Sequence, residues 1–265
     1  MGYWAERIDE QANILYDKTV AQTQRELAKQ YQKQAKAIQL EMVELYDKLL
    51  KESVDGVIRP NDLYKYNRYF QLHKTINKQL QELGAAEVKI YNKELLRMYD
   101  GVQEIITRDA PHVIANQSVL PTSGQQVLDS IWCADGKHWS NRIWGNKAKL
   151  QQALEDSLMD SIVRGVPKDI AVRDFMDRFS ASFYEADRLT RTEMNYVQNQ
   201  STANRYKAAG VQQYQILAAI DSRTSDICKE MNGKIFDFGT EQVGVNYPPF
   251  HPNCRTTIIP VLKEA

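Results

Sequence analysis

The chain has 265 residues, of which 43% are hydrophobic and 26% charged, a balance that builds one large or two smaller globular domains with a real core. Its 34 Lys and Arg offset its 34 Asp and Glu, which excludes the global positive field of a dedicated nucleic-acid binder and leaves only a local basic patch open. Met1 to Glu10 is polar and mixed in charge, so no signal peptide is expected, and no run approaches the ~18 apolar residues of a membrane helix. The 3 Cys are an odd number without an export signal, which argues for free thiols in a reducing cytoplasm rather than a disulfide framework.

The predicted elements begin with long helices. Leu27, Tyr31, Ala35, Ile38, Met42, Leu45 and Leu49 recur at alternating threes and fours, the stripe of one helical face. Asp55-Gly56 and Pro60-Asn61 read as the stop and turn. A second helix carries Leu63, Tyr66, Phe70, Ile76, Leu80 and Leu83, with Asp62 as its cap and Gly84 as its end. A third carries Val88, Tyr91, Leu95, Tyr99, Val102 and Ile106. Short turns between such helices predict antiparallel packing.

Pro111, Pro121, Gly124 and Gly136 then break the pattern, predicting a linker with one short helix near residues 125–132. Ser140 is read as the cap of a helix through Ile143, Ala148, Leu150, Leu154, Leu158 and Ile162, ended by Gly165 and Pro167. A short helix over 168–178 and a long one from Ser182 to Ala209 follow. After Gly210 the period changes, and short strands are expected near 213–220, 234–236 and 256–261. The predicted fold is mainly α with a small α+β C-terminal module. Its predicted parts are a long-helical region (1–110), a linker (111–140) and a C-terminal domain (141–265), the last divided into a helical part (141–210) and a strand-containing cap (211–265).

The cap concentrates unusual residues. Cys228, His251 and Cys254 carry metal-ligating atoms, and two residues between His251 and Cys254 let both converge from a turn. Three readings stand open. One is a structural zinc with Asp221 or a water as fourth ligand. Another is plain packing, with buried Cys acting as a small hydrophobe and His251 bonded to backbone. The third is a Cys228–His251 nucleophilic pair, although no Gly-rich oxyanion loop lies beside Cys228. No phosphate-binding loop, nucleophile elbow or zinc-protease motif is present.

Asp221-Ser222-Arg223-Thr224, Cys228, Asn232-Gly233-Lys234-Ile235-Phe236 and Tyr247-Pro248-Pro249-Phe250-His251-Pro252-Asn253-Cys254-Arg255 together resemble the phage head morphogenesis family, the minor capsid proteins similar to protein F of phage Mu. Arg191-Thr192-Glu193 is similar to the family's Arg-Thr-Glu helix, and the segment from Trp139 to Trp144 resembles the entry segment of minor capsid proteins from phages of Gram-positive bacteria. The likeness runs over roughly 139–261. One departure is Ser225, which stands where many members carry a first Cys.

The resemblance implies a non-enzymatic minor head protein. It implies association with the portal protein and other head proteins at one capsid vertex, assembly in the host cytoplasm, residence in the virion, and help in packaging or ejecting the genome. Arg191, Glu193, Asp221 and Arg255 are then expected to anchor the long helix to the cap. Two alternatives remain at this point: a nuclease-like or toxin-like enzyme built on the C-terminal module, and an ejected protein in contact with packaged DNA. No membrane contact is expected, and no toxin extension, since the chain stops at Ala265.

Overall fold

The computed structural model describes residues 3–53, 58–116 and 120–262. Its helices are α1 (Tyr3–Glu52), α2 (Pro60–Tyr64), α3 (Arg68–Asp109), α4 (His112–Ala115), α5 (Gly124–Leu128), α6 (Trp139–Val163), α7 (Lys168–Ala208) and α8 (Asp226–Met231). Its strands are β1 (Gln213–Leu217), β2 (Ile235–Asp237) and β3 (Thr257–Val261). The fold is mainly α with a small antiparallel sheet near the C-terminus, in the order β2-β1-β3. Among the described residues no helix is long and apolar enough to cross a membrane. The Asp55-Gly56 turn and the side chains of Leu63 and Tyr66 lie outside the described residues.

The contacts divide the chain into two compact units, one of Met1–Gln24, Tyr91–Trp139 and Asp187–Ala265, the other of Arg25–Ile90 and Ser140–Ala186. In the second unit the predicted stripe of α1 is buried from Leu27 to Leu49. Tyr31 donates to Glu87 at 3.3 Å and Gln34 to Glu82 at 3.4 Å, so α1 and α3 run antiparallel there. Ile143, Leu150, Leu154, Leu158 and Ile162 of α6 and Phe175 and Phe179 of α7 complete that core. Phe70, expected on the second stripe, is exposed.

Two predicted breaks are continuous helix. Gly84 sits inside α3, because its missing side chain makes room for the Trp144 ring, which an added Cβ would strike. Ser182 sits inside α7, where its buried carbonyl accepts from Tyr31 Oη at 3.3 Å. Both residues punctuate packing rather than backbone.

On α6 the residue turned inward is Lys147, and Ala148 is exposed. Lys147 Nζ lies 2.7 Å from the Glu87 carboxylate, and neither side chain is more than 4% exposed. Burial holds Glu87 above its ordinary value and Lys147 below its own, with their mutual attraction opposing both shifts. Lys147→Met strands a buried carboxylate, so it should lower unfolding free energy by about 3–5 kcal/mol. The double variant Lys147→Met/Glu87→Leu should recover most of that loss in urea melts followed by circular dichroism.

In the first unit, the segment between α3 and α6 packs as a satellite core. Trp132 stacks on Tyr196 with centroids 4.8 Å apart. Trp139 stacks on Tyr91 at 5.8 Å and donates to the Leu128 carbonyl at 3.0 Å. Ser123 caps α5, accepting from Gln126 N–H at 3.3 Å and donating its own N–H to the Gln126 side chain at 2.8 Å. This reciprocal box satisfies two donors at the helix start.

Candidate functional site

The site is built on β1, the central strand, on which two antiparallel ladders meet. Gln213 pairs with Asp237 of β2 on one side and with Val261 of β3 on the other. Alternation along β1 sends Tyr214 and Ile216 inward, where they meet Ala203, Cys228, Met231, Tyr247, Phe250, Cys254 and Ile258. Ala203 belongs to α7, so the sheet closes over a helix rather than over water. The Asn232-Gly233 turn falls where expected: Asn232 Oδ1 accepts from Ala218 N–H at 2.9 Å, and Gly233 takes φ 82°, a left-handed backbone that glycine adopts without a Cβ clash.

Cys228, His251 and Cys254 converge. Their ligand atoms all lie within 4.8 Å of one another, the one such group of His, Cys and acidic side chains among the described residues. Cys228 Sγ is 3.7 Å from Cys254 Sγ and 3.2 Å from His251 Nε2. Both thiols are buried, His251 is half-buried, and none of the three Cys is in a disulfide. Burial pushes the Cys254 thiol up from its ordinary value. A short turn, closed by Cys254 N–H on the His251 carbonyl at 3.2 Å, sets the spacing of the last two ligands.

The His251 tautomer follows from its neighbours. Nδ1 is 2.8 Å from the Pro252 carbonyl, which can only accept, so in the neutral ring the proton sits on Nδ1 and Nε2 presents the lone pair. That lone pair faces Cys228 Sγ and, at 2.8 Å, Ser225 Oγ. Ser225 also caps α8, accepting from the Cys228 N–H.

Asp221, weighed as a fourth ligand, is engaged elsewhere. Arg255 grips its carboxylate with two hydrogen bonds of 2.9 and 2.6 Å. A fork of this kind is directional and charge-assisted, and it holds the Asp221 carboxyl well below its ordinary range, helped by the Arg223 N–H. Asp221 and Arg255 therefore tie two cap loops to each other. Arg191 pairs with Asp187 at 3.2 Å, and its carbonyl accepts from Tyr16. Glu193 is buried and accepts from Trp132 Nε1 at 2.9 Å.

The joint between α7 and the cap is made by Thr192, inside the flagged Arg-Thr-Glu tripeptide, and by residues that the sequence did not flag. Asn195 and Asn199 both donate to the Thr256 carbonyl, at 3.0 and 3.1 Å. Thr192 Oγ1 accepts the N–H of Asn253 at 3.1 Å. Thr257 at the start of β3 donates to the half-buried Asp9 of α1 at 2.6 Å.

Residues 152–259 match the family model described as Phage Mu protein F like protein, which covers every cap residue on which the family resemblance rests. An uncharacterized protein of Haemophilus influenzae is 22% identical over 158 residues, 59% of this chain. The chain spans about a third of that protein's length, 32%. No solved structure matches the chain.

Two predictions follow from this geometry. Asn195→Ala or Asn199→Ala alone leaves the Thr256 carbonyl one donor, whereas the double variant orphans a buried acceptor. The double variant should therefore lose about 1–3 kcal/mol beyond the sum of the singles in denaturant melts. Asp221 has a depressed folded pKa, so its stabilisation is present above its ordinary value of 3.8 and fades as pH falls below it. The melting-temperature gap between wild type and Asp221→Asn should be steady near neutrality and close progressively in that acid range.

Proposed function

We propose, on the premise that residues 152–259 belong to the phage Mu protein F-like family, that this chain is a minor head protein of a tailed phage, built for assembly rather than catalysis. It joins the portal protein and other head proteins at one vertex of the capsid, enters the virion during assembly in the host cytoplasm, and assists packaging or ejection of the genome. The single observation that carries this reading is the extent of the match, which runs from within α6 through α7 into β3 and so takes in the cap as far as Ile259 and the helix it closes on.

The chemistry of the cap agrees with a non-enzymatic role. A nucleophilic Cys needs an accessible, electropositive surround, whereas Cys228 is 3% exposed and packed among apolar side chains. Asp221 and Arg255, two charged groups of the cap loops, are paired with each other. The long helices α1 and α3 supply the surface for head partners.

Co-expression with the portal protein of the same phage tests this reading. The expected result is co-purification of the two chains, together with defective or non-infectious particles when the gene is deleted. Absence of any complex together with normal infectious heads in the deletion strain would overturn it. So would cleavage of DNA or RNA by the purified chain that disappears in His251→Ala.

A further inference from the structure

We propose that Cys228, His251 and Cys254 bind one zinc ion, with a water in the fourth position held by Ser225, and that this ion fastens α8 to the His251–Cys254 turn. The inference is independent of the assembly reading, because it concerns the free chain.

The distances carry it. In a tetrahedral zinc site with Zn–S near 2.3 Å and Zn–N near 2.0 Å, two sulfurs sit about 3.8 Å apart and sulfur and nitrogen about 3.5 Å apart. Cys228 Sγ and Cys254 Sγ are 3.7 Å apart, and Cys228 Sγ and His251 Nε2 are 3.2 Å apart. The sulfur edge is already at tetrahedral length, the Cys254–His251 edge lies within 4.8 Å, and a small swing of the imidazole adjusts both of its edges.

The contact on the far side of the imidazole is independent of those distances. Metal-bound imidazoles characteristically donate their remote N–H to a backbone carbonyl or carboxylate, which fixes the ring and directs the other lone pair at the ion. His251 does this through Nδ1 and the Pro252 carbonyl at 2.8 Å. Its Nε2 faces Ser225 Oγ at 2.8 Å and Cys228 Sγ at 3.2 Å. A zinc ion takes that lone pair, converts both thiols to thiolates with release of two protons, and frees the Ser225 hydroxyl to hold a bound water.

The ligand set also selects the metal. Two thiolates and one imidazole are soft donors that suit zinc over magnesium or calcium, and their two negative charges neutralise the dication in a pocket among apolar side chains. Ser225 is half-buried, which places the fourth position on the side open to water. The ion ties together segments separated by more than twenty residues, in a cap whose β2 is only 3 residues long.

The test uses the full chain, purified under reducing conditions from cells supplied with zinc. Elemental analysis should return about one zinc per chain, and cobalt added to the metal-free protein should give the near-ultraviolet charge-transfer band of thiolate ligation. Cys228→Ser and His251→Ala should lose the zinc while keeping the helical circular dichroism signal. Ser225→Cys should hold the ion against a chelator that strips the wild type. Should the ligand variants fail to fold, the cobalt titration of wild type decides alone. Folded wild-type protein with no stoichiometric zinc and no cobalt–thiolate band overturns the proposal, as does Ser225→Cys behaving like wild type toward the chelator.

Discussion

From Glu193 to Arg205, the end of α7 buries asparagine, glutamine, serine, threonine and arginine side chains, and a helix face of that kind can be covered only by elements that bring hydrogen-bonding partners. Each neighbour in the first unit answers that demand. Thr256 offers its carbonyl to Asn195 and Asn199. Asn13 of α1 accepts from Gln198 at 3.2 Å. Gln103 of α3 donates to the Ser201 carbonyl at 2.6 Å and accepts from Arg205 at 2.8 Å. Asn204 reaches the hydroxyl of Tyr99 and the Thr122 carbonyl, both at 3.0 Å. An apolar α7 would tolerate sliding of these neighbours, whereas the hydrogen bonds of this one form in a single register.

The cap inherits its geometry from that register. Once Thr256 is fixed on α7, β3 begins at Thr257, and its pairing with β1 sets where Tyr214 and Ile216 enter the small core. The turn that ends at Cys254 then stands two residues before the anchored carbonyl. Cys228 arrives from the other side on α8, whose start is set by the Ser225 cap. The convergence of the three ligand atoms is thus a consequence of two backbone anchors, one at Thr256 and one at Ser225. The Asp221–Arg255 fork closes the remaining loops over the sheet.

How much of this was legible depends on the kind of signal. Apolar periodicity located the stripe of α1 from Leu27 to Leu49 and the change of period at β1, since burial of apolar side chains at fixed spacing leaves a trace in any sequence. The convergence of Cys228, His251 and Cys254 was legible from residue type and spacing, although the alternative partner of Asp221 was not, because nothing in the chain says which of several nearby arginines a carboxylate will choose. Gly84 and Ser182 misled for one reason: each has a common role at helix ends and a rarer one in close packing, and only the neighbours Trp144 and Tyr31 decide between them. The polar face of α7 was invisible, because a buried run of Asn, Gln, Ser and Thr reads like a solvated surface until its partners are known. Lys147 hid in the same way, one position from the residue that the stripe had marked.

Under the zinc proposal, the cap held in one register against α7 brings its two thiols and imidazole together around an ion. Anomalous diffraction at the zinc edge from crystals of the full chain tests that claim most directly. The account predicts a single strong peak about 2.3 Å from the sulfurs of Cys228 and Cys254 and about 2.0 Å from Nε2 of His251, with the Asn195 and Asn199 amides still on the Thr256 carbonyl. A well-ordered cap with no peak between those three side chains would contradict it.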